Sequence, residues 1–127
     1  MRRSTRHYLL AAALPLAGIA AAWGRRRLGR VEVTGDSMRP TLAPGDRLLV
    51  VRNRRARVGD VVAVADPRLP ARTLVKRVAA RDGHALTVLG DNASASTDSR
   101  ILGPVAPASI RGRAVYRYFP DSRRGRL

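Results

Sequence analysis

Three short segments of this 127-residue chain combine reactive side chains with turn residues. They are Gly35-Asp36-Ser37-Met38-Arg39-Pro40-Thr41-Leu42, Thr73-Leu74-Val75-Lys76-Arg77-Val78 and Gly90-Asp91-Asn92-Ala93-Ser94-Ala95-Ser96-Thr97-Asp98-Ser99-Arg100. A serine hydroxyl is a poor nucleophile until a neighbouring base takes its proton, so the chain must also offer a base. The two histidines are badly placed for that: His7 precedes an apolar stretch and His84 follows a hairpin turn, and both are expected at the surface. Cysteine is absent, which excludes disulfides, thiol catalysis and thiolate metal sites. With only two separated imidazoles left as ligands, no metal site and no cofactor are expected.

The remaining base is Lys76. Of the 25 basic residues only this one is lysine, so 25 − 1 = 24 are arginine. A coding bias toward arginine and alanine replaces lysine wherever a plain positive charge suffices. A solitary lysine is then either a chance survivor or a place where arginine fails. Guanidinium stays protonated at any usable pH, whereas a buried ammonium can shed its proton; arginine therefore fails as a base. Leu74, Val75 and Val78 around Lys76 supply a desolvating setting. Taken singly, each segment has a plainer reading. Ser37 could cap a short helix from a turn, Lys76 could lie in a half-buried strand with its tip in water, and residues 90–100 could be a polar loop.

Taken together and in this order, the segments resemble the type I signal peptidase family. That family's nucleophile lies in a G-x-S-M-x-P-T-L box, here Gly35 to Leu42; its base lies in a strand ending K-R-V, here Lys76 to Val78; its closing box G-D-N-x-x-x-S-x-D-S-R is matched from Gly90 to Arg100. The resemblance covers about residues 31 to 119 and implies a mainly β catalytic fold shared with the LexA-type self-cleaving repressors. It implies Ser37 as nucleophile, Lys76 as general base and Ser96 as the serine that orients the lysine. Asp98 and Arg100 match a supporting ion pair and Asp91 another structural acid, three residues that hold the loop rather than touch substrate. Val33, Met38, Leu42, Leu74 and Val75 match the pocket for the residue before the cut, which takes small side chains; as a plainer reading these five are core. The Ser37 amide would meet the oxyanion. Many relatives add a serine hydroxyl two residues before the nucleophile, but that position is Gly35 here, which leaves the second donor open between another amide and a rearranged turn.

These residues need a scaffold to hold them. With 45% apolar residues the chain can build one modest core. From Tyr8 to Trp23 it is continuously apolar or small, flanked by Arg2, Arg3 and Arg6 before and by Arg25, Arg26, Arg27 and Arg30 after. Sixteen residues of helix span about 24 Å against a hydrocarbon core of about 30 Å, a shortfall that snorkelling arginines can bridge. An uncleaved membrane-anchor helix is the favoured reading. A secretory signal cut after Ala20-Ala21-Ala22 and a buried soluble helix are the others. Beyond Arg30, short β-branched runs alternate with Gly, Pro, Asp and Asn, which predicts strands over Val31–Thr34, Arg47–Arg52, Val61–Val64, Thr73–Ala80, Ala85–Leu89 and Ile110–Phe119, with a hairpin turn at Asp82-Gly83. The expected organisation is an anchor segment over residues 1–30, a peptidase domain over 31–120, and a frayed basic tail over 121–127.

A formal charge of +16 draws the protein to anionic lipid or to nucleic acid. Five aromatic residues in all give little for bases to stack on, so no nucleic-acid partner is expected. A self-cleaving repressor is excluded because nothing before Ser37 can hold a DNA-reading helix pair. The expected protein is a single-pass cell-membrane serine endopeptidase, with a peptide or preprotein as substrate, lipid as its surroundings and a catalytic domain on the extracytoplasmic side. The flanking arginines are too nearly balanced to fix that orientation. A dedicated maturation protease, resembling those that process nickel-type superoxide dismutase, would carry the same boxes, and the absence of a long insertion between Asp66 and Thr73 suits such a minimal form. A non-catalytic arginine-rich binding module is the remaining reading.

Overall fold

The run Val61-Val62-Ala63-Val64-Ala65-Asp66 is apolar at every position but the last, as a strand covered on both faces must be. In a computed structural model, which describes residues 27–52 and 55–127, it forms an inner strand of a seven-stranded antiparallel sheet. The strands are β1 (Leu28–Glu32), β2 (Arg47–Val51), β3 (Val61–Asp66), β4 (Leu69–Asp82), β5 (Ala85–Leu89), β6 (Ile110–Phe119) and β7 (Gly125–Arg126). Their order is β1-β2-β6-β3-β4-β5, with β7 also on β6. Alternate residues of β3 feed two apolar clusters. Val61 and Ala63 join Val33, Met38, Leu42, Leu48 and Val50; Val62 and Val64 join Val78, Leu86, Val88, Val105 and Ile110. Each cluster is closed by a chain excursion, residues 33–42 over the first and 99–110 over the second, the latter including the single helical turn α1 (Ser99–Leu102).

The mainly β expectation holds: Ala85–Leu89 and Ile110–Phe119 are found with the expected ends, and three more of the six expected strands with shifted ends. The sixth, expected over Val31–Thr34, starts earlier and ends at Glu32: its ladder with β2 runs from Leu28↔Val51 to Glu32↔Arg47. Beyond it the partner strand turns away at Gly45, whose φ of +89° suits a residue without Cβ, and Val33 pairs instead with the turn through Val33 N–H to Asp46 O at 2.8 Å. β4 is longer than expected, because it accommodates Pro70 in a bulge: the register passes from Asp66↔Leu69 to Ala65↔Thr73, so no ladder donor is lost. The turn after Asp82 is as expected, with Gly83 at φ +55° and Asp82 opposite Ala85.

The tail is not frayed. Residues Asp121–Arg123 form a 3₁₀ turn and β7 pairs with β6 at Tyr116↔Arg126 and Arg117↔Gly125. The cause is Asp46, a buried carboxylate that takes Arg123 Nη1 at 2.9 Å and Arg117 Nη1 at 3.2 Å as well as the Ala43 amide. A buried charge without such partners would be strongly unfavourable, so it draws the basic tail onto the sheet. The apolar run Tyr8–Trp23, with the anchor helix expected there, lies outside the described residues. Among the described residues no helix is long and apolar enough to cross a membrane.

Candidate active site

Strand geometry places Lys76. Successive residues of β4 point to opposite faces, so Lys76 shares a face with Leu74 and Val78, both packed with the second apolar cluster. Its side chain is buried, with 3% of the residue exposed. Burial pushes the ammonium pKa below its ordinary value; Asp98 opposes that shift, while the fields of Arg100 and Arg68 add to it. Nζ donates to Ser96 Oγ at 3.0 Å.

Ser37 is placed by its apolar neighbours. Met38 and Leu42 are fully buried in the first cluster, and the Leu42 amide donates to Met38 O at 2.9 Å, so the box from Gly35 to Leu42 forms a tight turn clipped into the core. Within that turn the Arg39–Pro40 peptide bond is cis. Ser37 is left half-buried, on a cavity of about 160 Å³ whose opposite wall carries Lys76. Val33, Met38, Leu74 and Val75 line this cavity with the two of them, together with Gly35 and Thr73. Leu42, read from the resemblance as a pocket residue, is instead buried core beneath the turn and does not line the cavity. Two grooves of about 580 and 550 Å³ are larger, but neither includes Ser37 or Lys76.

The loop from Gly90 to Arg100 joins the two sides, and Asp98 is its hub. The carboxylate is 1% exposed and accepts from Ser96 Oγ at 2.6 Å, Gly90 N at 2.8 Å, Arg100 N at 3.1 Å, and Arg100 Nε and Nη2 at 3.0 and 2.6 Å. Burial alone would push its pKa up; the bonds from Arg100, Ser96 and the two amides outweigh that and hold it well below the usual carboxylate range. Ser96 thus stands between Lys76, from which it accepts, and Asp98, to which it donates. Asp91 plays a second anchoring part: it accepts from Arg77 Nε and Nη2, both at 2.8 Å, and from Thr41 Oγ1 at 2.6 Å. The Arg77 guanidinium, with Thr41 assisting against burial, depresses the Asp91 pKa.

Four residues that hold this arrangement were not singled out from the sequence. Arg77 and Thr41 bind Asp91 from different boxes. Asn92 ties the loop to the Ser37 turn by its amide to Ser37 O at 2.8 Å and its side chain to Asp36 O at 3.1 Å. Gly90 is pressed so closely that a Cβ there would sit 2.6 Å from Ser37 O and 2.6 Å from Ser96 Cβ. The signal for Arg77 was its place beside Lys76 in a strand, which must turn it to the other face. The signal for Asn92 and Gly90 was their position in a polar turn, where such residues commonly bond backbone. His84 is exposed at the hairpin tip as expected. Among the described residues no group of His, Asp or Glu is gathered as a metal site would need, and no buried side-chain polar atom lacks a partner.

A family model described as signal peptidase, peptidase S26, matches residues 6–88 and 81–119. Among curated proteins, the chain is 35% identical to the mitochondrial ATP-independent inner membrane protease subunit 1a of Arabidopsis thaliana, over 79% of this chain and 76% of that protein. It is 33% identical to the mitochondrial inner membrane protease subunit 2 of Danio rerio, over 75% of this chain and 66% of that protein. It is 29% identical to a probable signal peptidase I-1 of Synechocystis, over 75% and 73%.

Proposed function

This chain belongs to the type I signal peptidase family, peptidase S26, and from that premise we propose that it is a serine endopeptidase in which Ser37 attacks the scissile carbonyl and Lys76 is the general base. The observation that carries the reading is the buried Nζ of Lys76, fixed by Ser96 on the cavity it shares with Ser37.

The hydrogen bonds suit the lysine to this task. The Ser96 hydroxyl proton is committed to Asp98, so Ser96 Oγ can only accept from Nζ. That fixes one N–H of the amine and leaves its lone pair free for the cavity side, where Ser37 lies. Burial and the guanidinium fields of Arg100 and Arg68 favour the neutral amine that a base must be. Ser37 Oγ adds to the carbonyl as its proton passes to Nζ; the same proton goes to the leaving amine, and water then repeats the sequence on the acyl-enzyme. The Ser37 amide, which donates to no backbone acceptor among the described residues, is available for the oxyanion. The cavity of about 160 Å³ suits a small side chain before the cut, with Val33, Met38, Leu74 and Val75 as its walls.

The relatives are named as inner membrane proteases and a signal peptidase, and the apolar run over residues 8–23 with its flanking arginines supports work at a membrane on signal or leader peptides. A second reading narrows the substrate to one partner, such as the precursor of a nickel-type superoxide dismutase. It is favoured by the connection between β3 and β4, which is only Pro67-Arg68 and offers no elaborated surface for varied preproteins. The test is cleavage of a preprotein by the membrane-inserted chain, compared with Ser37→Ala, Lys76→Ala and Lys76→Arg. All three are expected to abolish cleavage; full activity in Lys76→Arg would refute a lysine base.

A further inference from the structure

The Ser37–Lys76 cavity does not end at Thr73. That residue also lines a groove of about 580 Å³ running between β1 and β4, whose walls include Val31, Val50 and Ala63 and which carries Arg30, Arg52 and Arg111. Val50 and Ala63 are buried and the three arginines are exposed, so the groove has an apolar floor under a cationic rim. None of the three has a carboxylate within ion-pair distance among the described residues, where the ion pairs use other arginines. Arg111 is aimed by neutral partners, donating to Thr73 Oγ1 at 2.8 Å and to the Pro70 carbonyl. Arg30 lies 5.9 Å from the Tyr118 ring centroid.

The groove is also bounded by two unused strand edges. Among the described residues β1 pairs with β2 alone, and the ladder of β4 with β5 begins only at Arg77, so residues 69–76 have β3 on one side and no described strand on the other. An extended peptide can engage such edges with its backbone while its side chains meet the groove. A lipid phosphate could use the arginines but would leave both edges unmatched.

Resting on the peptidase reading above, we propose that this groove is a specificity subsite for an acidic side chain of the substrate, at about the third to fifth position before the scissile bond. The direction follows from the cavity: the groove leaves it on the side away from Ser37 and Lys76, so it receives the part of the chain that precedes the cut. The spacing follows from β1 and the residue after it: Gly29 to Val31 line the groove and Val33 lines the cavity, so a substrate strand at ~3.3 Å per residue moves from one to the other within two to four residues.

The test uses the full chain in detergent micelles and peptides with Ala before the cut, in which Asp, Asn or Lys is placed at each other position from six before to four after it. Two quantities are read: the Asp/Asn ratio of kcat/KM on the wild type, and the Asp/Asn ratio of affinity on Ser37→Ala by fluorescence anisotropy. A preference of about three- to fivefold for Asp is expected only at the third to fifth positions before the cut. It should vanish toward ~1 M salt, where the screening length falls to ~3 Å. Arg52→Gln and Arg111→Gln should bring the ratio to about one, and Arg52→Glu should turn it into a preference for Lys, an inversion that a merely structural role would not give. A flat Asp scan, a preference unmoved by the arginine variants, or discrimination that appears only with anionic vesicles would overturn the subsite. Loss of cleavage with the binding preference intact would overturn the peptidase reading instead.

Discussion

Gly90→Ala should disable the site by moving two groups at once. The added Cβ would stand 2.6 Å from Ser37 O and 2.6 Å from Ser96 Cβ, and would overlap Ser96 Oγ. Carbon contacts settle near 3.5 Å, so each neighbour must retreat by roughly 0.9 Å. Neither can retreat without loss. Moving Ser37 O strains its 2.8 Å bond from the Asn92 amide, and moving Ser96 lengthens the 3.0 Å bond that fixes Lys76 Nζ. Misplacement of about 1 Å at a reacting group can lower turnover about 10²-fold, which is the expected fall in kcat/KM for preprotein cleavage. Overpacking of this size also destabilises by about 1–3 kcal/mol, seen as a Tm lower by several degrees in circular dichroism. Gly35→Ala is the matched comparison: a Cβ there meets nothing within 4 Å, and a φ in the ordinary range adds no strain. It should keep the wild-type Tm. If Gly90→Ala cleaves at the wild-type rate, the packing of the closing loop against Ser37 and Ser96 does not control catalysis.

Three further outcomes follow from the same geometry. Because the folded pKa of Lys76 is lowered, folding sheds a proton between that value and the unfolded ~10.5; wild-type stability should therefore rise with pH through this window. Urea midpoints of Lys76→Met should lack that rise and exceed wild type at neutral pH, and the wild-type cleavage rate should climb as pH rises through the lowered folded value and level off above it. Asp98 gives a slope of the same sign in a lower window: its stabilisation is present above ~3.8 and lost as pH falls through its depressed folded value, so Asp98→Asn should flatten the acid limb of the stability curve. Asp46→Asn should destabilise by about 2 kcal/mol in chemical denaturation and expose the tail to limited proteolysis, since it removes the charge and one of the two acceptor oxygens that hold Arg117 and Arg123.

How far the sequence disclosed all this varies with the range of the interaction. The strands were legible because their period is local: the alternation in Ile110–Phe119 and the all-apolar run from Val61 each report their own burial. The three boxes were legible as a set, and the structure does bring Ser37 and Lys76 onto one cavity, with Ser96 on the Lys76 amine. What could not be read was any position whose partner lies far along the chain. Nothing in the sequence around Asp46 announces its bond with Arg123, 77 residues away, which determines the fate of the tail. Leu42 lies in the same box as Ser37, but only the tight turn decides that it faces the core and not the pocket. Gly90 is constrained by Ser37, and no local pattern announces a close approach between residues 53 apart.

The arginine bias takes on a physical meaning once these partners are known. The three buried carboxylates, Asp46, Asp66 and Asp98, are each paired with arginine: Arg117 and Arg123, Arg68 and Arg72, and Arg100. Guanidinium does not deprotonate, so these pairs hold the tail, the hairpin between β3 and β4, and the closing loop at any working pH. Two of those arginines, Arg100 and Arg68, also push protons off Lys76. Exchanging Arg100 for lysine would keep the charge but lose the two-pronged grip on Asp98, loosening Ser96 and, through it, the amine. The scaffold is therefore fixed by cations that cannot titrate, around the one cation that can. In such a chain the solitary lysine sits where a change of charge is useful, and every other positive site is better served by a residue that never changes.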